Sequence, residues 1–328
     1  AVGYAALGAN TTGTQNVGVG WSALLNNTTG SYNTAIGSSA LYANTTGANN
    51  TALGRDTLEA NTTGGTNVAI GTTTLKANTT ASDNTGVGYA VLLANTTGDN
   101  NTAIGVNSMQ ANTTASDNVA VGRNTMISNT TGTQNVAVGS LALDASTTAS
   151  YNTGVGYRAL SANTTAQENA AFGTDAMLVT TTGGRNTALG AYTLGSNTEG
   201  TNNTSVGYVA GNGNTTGEYN TAVGSTALFA ATTADRNTAV GFRALTTVTT
   251  GAQSTAVGYD ALRNNTADSN TAMGEQASVA NTSGSYNASF GWRALALTTT
   301  GATNSAFGAN ALFANTTASD NTSMGYDS

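Results

Sequence analysis

The sequence predicts an all-β fold: a parallel β-solenoid, or β-roll, of about 19 coils wound from a 17-residue repeat. Three observations predict it. A glycine that closes an Asn-Thr-Ala-Val-Gly-like run returns every 17 residues from Gly3 to Gly258 and, after one 16-residue step to Gly274, again at Gly291, Gly308 and Gly325. The residue before that glycine is apolar at all 20 anchors, and the residue four after it is Leu in 14 of 19 coils and Met in three. Only 8% of residues are charged, about a third of the usual share, yet 38% are apolar and evenly spaced, which separates the chain from a disordered low-complexity segment.

Numbering each coil from its anchor glycine as position 0 gives every place its own rule. Position −4 is Asn in 18 of 19 coils, Ser254 being the other; position −2 is always Ala, Gly or Ser; position +8 is Thr in all 19. The Leu column at +4 is interrupted at Gly211 and Ser278, and the short step after Gly258 reads as the loss of one Thr. Gly211 and Ser278 are therefore expected weak spots, and filling Ser278 with Leu is expected to raise stability.

A helical hairpin needs more than 17 residues for two helices and two turns, and no 3.6-residue apolar period is present. Short strands joined by turn residues match the pattern instead. In Asn33-Thr34-Ala35-Ile36-Gly37, Thr34 and Ile36 share one face and Ala35 the other. A second strand is expected at Ala40-Leu41-Tyr42-Ala43, and a third extended piece at Asn44-Thr45-Thr46 before a Gly or Ala turn.

One coil cannot bury its own apolar face, whereas stacked coils place like residues one above another at about 4.8 Å. Ile36, Leu53 and Ile70 are expected to form one apolar column, and Leu41, Leu58 and Leu75 a second. Asn33, Asn50 and Asn67 are expected to form an amide ladder, and Thr45, Thr62 and Thr79 a hydroxyl ladder, each bonding to the coils above and below. Two large apolar side chains per coil make a thin core. The strictly small position −2, with the anchor glycine, is expected to lie as a flat stripe on the outside where further chains pack, so a homo-oligomer is expected.

Composition narrows the function classes. The nine Lys and Arg are scattered singly and the net charge is −7, which leaves no basic footprint for nucleic acid. No run of 18 apolar residues is present to insert into a membrane. Without Cys or His there is no disulfide, no thiolate or imidazole metal site and no Ser-His-Asp triad. Asp56 and Glu59 share a coil, and they read as solvated surface rather than as a pair tuned for acid–base work. Neither a catalytic residue nor a cofactor is expected, and residues 1–328 read as a single continuous repeat domain, a segment of a longer fibre protein. Both ends stop in mid-repeat, which predicts a longer native chain or end-to-end stacking into a filament.

The runs Asn33–Gly37 and Asn135–Gly139 resemble the head repeats of trimeric autotransporter adhesins, and the longer unit from Asn220 to Thr233 is similar to repeats of phage tail-fibre and head-fibre proteins. The resemblance covers the whole chain, although the 17-residue period is longer than the usual adhesin head repeat. It implies left-handed parallel β-rolls associated as a homotrimer, and an extracellular role in attachment, on a virion fibre or a bacterial surface.

Position +1 is aromatic at nine of 20 anchors, Tyr89, Tyr157 and Trp292 among them. Such faces stack on sugars or on partner chains, so these three are the candidate contacts for a cell-surface glycan or protein receptor. The rival reading is an ice-binding solenoid built on the threonine ranks. The pair Thr45-Thr46 argues against it, because neighbouring strand residues point oppositely and leave one outward rank.

Overall fold

Each repeat contributes one three-residue strand, paired in parallel and in register with the strands of its neighbouring coils. In the computed structural model, which describes residues 1–328, β1 (Val17–Val19), β2 (Thr34–Ile36) and β3 (Thr51–Leu53) lie side by side. Thr34 pairs with Thr51, Ala35 with Ala52 and Ile36 with Leu53, each one repeat on. The chain forms two compact units, 1–165 and 166–328. The first carries β1 through β9 (Thr153–Val155), and the second β10 (Ala170–Phe172) through β19 (Thr322–Met324). Both are parallel β-solenoids without a helix, so no helix is long and apolar enough to cross a membrane.

The strand presents its faces the other way round from the expectation. Ala35, Ala52 and Ala69 at position −2 are fully buried, so the expected outer Ala/Gly stripe lies inside. Ile36 and Leu53 are 38% and 44% exposed and Ile70 is half-buried, so this apolar column runs along the outside. Leu41, Leu58 and Leu75 fill the interior with no exposure. Space decides the inversion. A Cβ added at Gly18 would sit 3.3 Å from Leu7 Cγ, and one at Gly154 would sit 3.5 Å from Leu143 Cδ1. The Leu side chain leaves room for a methyl group opposite it and for little more, which is why position −2 stays small.

The expected second strand is replaced by a tight corner. Ser39 and Leu41 adopt left-handed φ of +57° and +52°, and the same two positions do so coil after coil. The sequence-local reason is burial: Ala40 and Leu41 are consecutive and both fully buried, which strand alternation forbids. A left-handed Leu costs roughly 1–2 kcal/mol, and burying it returns about 1.5–3 kcal/mol. The ladder continues through the corner, with Leu41 N–H donating to Thr57 O at 3.0 Å and Ala43 N–H to Glu59 O at 2.9 Å. The third piece, Asn44-Thr45-Thr46, is a bend rather than a strand. At the strand end the anchor Gly37 takes φ +136°, and a Cβ there would run into the carbonyl oxygen of Gly54.

Polar columns close the interior. Asn33 Nδ2 donates to the Gly47 carbonyl at 2.8 Å, and its Oδ1 accepts the Asn50 backbone N–H at 2.9 Å. Asn50 and Asn67 repeat both contacts, to Gly64 O at 2.9 Å and Ala81 O at 2.8 Å, and Asn67 N–H donates to Asn50 Oδ1 at 3.0 Å. A second Asn column at +7 reaches the same carbonyl from the other side: Asn44 Nδ2 donates to Gly47 O at 2.9 Å and to Asn27 Oδ1 at 2.8 Å. The hydroxyls of Thr45, Thr62 and Thr79 donate to the carbonyls of Thr62, Thr79 and Thr96 at 3.0–3.1 Å. In these coils the buried side-chain amides find their partners within the chain.

The 16-residue coil shows which residue is dispensable. Asn265 Nδ2 reaches Ala267 O two residues on, at 2.7 Å, where other coils span three. The missing residue is therefore the second Thr, at +9, whose counterparts Thr29, Thr46 and Thr63 are exposed. Asn265, Thr266 and Asn270 keep their ladder places in the shortened coil.

Candidate binding surfaces

With the interior closed by apolar and amide columns, any binding chemistry lies on outward positions. Outward positions include −3 and −1 on the strand, +1 beyond the anchor glycine, and +9 and +12 on the bends, while +2 is half-buried or buried in most coils. Each rank repeats once per coil, so neighbours along it are set by the strand spacing.

The aromatic candidates at +1 are accessible but separate. Tyr89 is 56% exposed, Tyr157 47% and Trp292 45%. Tyr89 stands four coils from Tyr157 along the chain, and the +1 neighbours of Tyr89 in adjacent coils are Thr72 and Val106. Arg158 lies 5.0 Å from the Tyr157 ring centroid, and Arg293 lies 5.3 Å from Trp292 and 4.5 Å from Phe313. Tyr89 and Tyr157 do not meet in one site.

A denser cluster forms where aromatics occupy +1 in consecutive coils. Phe242 and Tyr259 stack with centroids 5.5 Å apart and planes at 21°. Arg243 Nε and an Nη donate to the two oxygens of Asp260, both at 2.8 Å, and the same Nη donates to Tyr259 Oη at 3.2 Å. The guanidinium also lies 4.9 Å from the Phe242 centroid, and Arg263 approaches Asp260 at 3.5 Å. The hydrogen bond to Asp260 leads the effects that raise the Arg243 pKa. This cluster was not among the sequence candidates. Its signal was legible once repeats are aligned: Gly241-Phe242-Arg243 stands over Gly258-Tyr259-Asp260, placing cation over anion at one position.

The same rule pairs other charges. Glu168 accepts from Arg185 Nε at 2.8 Å across one repeat, and Lys76 Nζ lies 3.0 Å from Glu59, also one repeat away. Lys76 also approaches Asp56 at 3.8 Å, so Asp56 and Glu59 serve as counter-ions on an open surface. The Glu59 hydrogen bond is the main cause raising the Lys76 pKa.

The strand rank carries a different character. Position −1 is Val, Ile, Leu, Phe or Met at every anchor, and position −3 is Thr, Val, Ala or Ser on every strand. None of the nine basic and sixteen acidic residues stands at either place. Phe290 and Phe307 stack there at 5.0 Å with planes 3° apart. No family model matches this sequence, and no curated protein matches it.

Proposed function

We propose that this chain is a structural segment, shaft or head, of an extracellular or virion fibre serving attachment. The carrying observation is the direction of its bonds. Main-chain ladders, both Asn columns and the Thr hydroxyls all link one coil to the next, so each added repeat extends the unit along its axis without altering the section. Its chemistry is repeated along the length rather than gathered at one place, which suits a spacer. The repeats' likeness to those of phage fibres and adhesin heads supports the same reading. Half-exposed aromatics at +1 would add weak, multivalent contact with a cell-surface glycan or protein.

The ice-binding alternative draws on the exposed Thr rank at +9. That rank is flanked at +12 by Asp83, Asp117, Arg185 and Arg236, and such a charged border favours the fibre.

Electron microscopy of the purified chain and of a variant with four consensus repeats inserted tests the proposal. Elongated particles are expected, longer in the variant by about 19 Å at the strand spacing of roughly 4.8 Å per coil. Round particles, or a variant that thickens without lengthening, would overturn it.

A further inference from the structure

The outward strand rank has the properties of a face that is covered. All-parallel sheets occur almost only with both faces buried. Here the inner face packs on the Leu column, while the outer face leaves Ile36, Leu53 and Ile104 at 38%, 44% and 40% exposure. The apolar residue at −1 recurs in every coil of both units, and no charge interrupts the rank. Isolated exposed hydrophobics are ordinary on soluble proteins, but a continuous uncharged row of them marks an interaction surface.

We infer that this −1/−3 strand face is where a second copy of the same chain packs. Three features select that occupant. The row repeats at the strand spacing over nine consecutive strands in the first unit, and a chain with the same repeat presents apolar residues at the same interval along its whole length. A rounded partner would touch a few coils and leave the others bare. The face is long enough to seat an extended partner: β1 through β9 at about 4.8 Å per strand carry it over roughly 40 Å. The absence of charge means that like meets like without repulsion, whereas the charged positions all lie on other ranks. The inference deepens the fibre reading by naming its partner. It also moves self-association from the buried −2 stripe to the opposite face of the same strand.

The test uses the full chain, whose mass is 32.4 kDa. Sedimentation of the unmodified chain is expected to show an oligomer at micromolar concentration. Ile36→Lys, Leu53→Lys and Ile104→Lys together should reduce the mass to one chain with the far-ultraviolet circular dichroism unchanged, while Tyr89→Lys on the +1 rank should leave the oligomer intact. The sequence has no cysteine, so Leu53→Cys gives a second measurement that does not depend on the triple variant folding. Mild oxidation should link Leu53→Cys copies at least tenfold faster than Tyr89→Cys copies. A monomeric parent chain, or equal linking rates, would overturn the inference. An elongated monomer would sink this inference and leave the fibre reading standing, whereas a compact oligomer would do the reverse.

Discussion

From Asn27 to Asn129 the interior Asn column at +7 is unbroken, and from Asn214 to Asn265 it is not. In the first stretch each amide donates to the Oδ1 of the preceding Asn, as Asn44 does to Asn27 and Asn61 to Asn44, at 2.8 and 2.9 Å. In the second, Ala231 and Val248 stand where Asn is expected, both buried. The consequence falls one coil earlier: Asn214 Oδ1 is buried with no donor. The same happens at Asn281, which precedes Thr298 in the column. A ladder is a set of bonds between coils, so replacing a rung orphans its neighbour unless a local donor steps in, as at Asn129, which precedes Ser146 and accepts the Gly132 N–H at 3.2 Å. Replacing two consecutive rungs by apolar residues removes whole pairs and leaves the cost at the boundary, in keeping with the asymmetry between losing one partner and losing both.

The largest effect is expected in the regular stretch. Leu58→Ala, within an unbroken core column, is expected to cost about 2–5 kcal/mol by chemical denaturation; a loss below about 1 kcal/mol would mean the column does not carry the core. The ladder itself is sharpened by restoring the second stretch. Ala231→Asn alone moves the orphaned oxygen from Asn214 to the new residue and should be nearly neutral. Combined with Val248→Asn it closes the column from Asn214 to Asn265, and the pair should show a favourable coupling of about 1–2 kcal/mol in a double-mutant cycle. Simple additivity would refute the rung-to-rung account. The smallest effect is expected at the Leu-column gap, where Ser278 Oγ and Ser289 Oγ are buried and hydrogen-bonded at 2.9 Å. Ser278→Leu alone leaves the Ser289 hydroxyl only its long 3.4 Å bond to the Thr271 carbonyl, so the gain expected from the sequence should appear in full only with Ser289→Ala, at about 1 kcal/mol in thermal unfolding. A gain from the single change equal to that of the double would show the hydroxyl pair to be irrelevant.

The other gap is of the same kind. Gly211 keeps the left-handed φ of its Leu counterparts, at +58°, and lies against a cavity of about 10 Å³ bordered by Leu194, Ser205 and Leu228. Serine at −2 accompanies both gaps: Ser205 lies in the coil of Gly211, and Ser289 in the coil after Ser278. A lost Leu opens the space into which a hydroxyl then fits.

The repeat, its period, the parallel strand Thr34–Ile36 and the dispensable Thr of the short coil were all legible in the sequence, because each leaves a position-specific residue rule. The direction of the strand was not. Alternation shows that Ala35 and Ile36 point oppositely but does not say which points in, and ordinary hydrophobicity favours the larger residue. What decides is the volume of Leu41, which arrives from the corner rather than from the strand. That corner was itself illegible, since consecutive left-handed turns at Ser39 and Leu41 have no glycine to announce them. At the surface, reading single aromatics such as Tyr89 and Trp292 missed the Arg243–Asp260 cluster, because its members are 17 residues apart and adjacent only after the repeats are stacked.

The register of these ladders also bears on how such a chain can change. The main-chain ladder and the Thr hydroxyls find their acceptors one coil away at an equivalent position, so removing or duplicating a whole repeat in the coding sequence rejoins these ladders. Slippage between near-identical repeats thus alters length while leaving the fold untouched. Shorter deletions meet a filter, since only an outward residue such as the second Thr can be lost without shifting a column. The copy number of the repeat is then a free variable, and the coil section a fixed one.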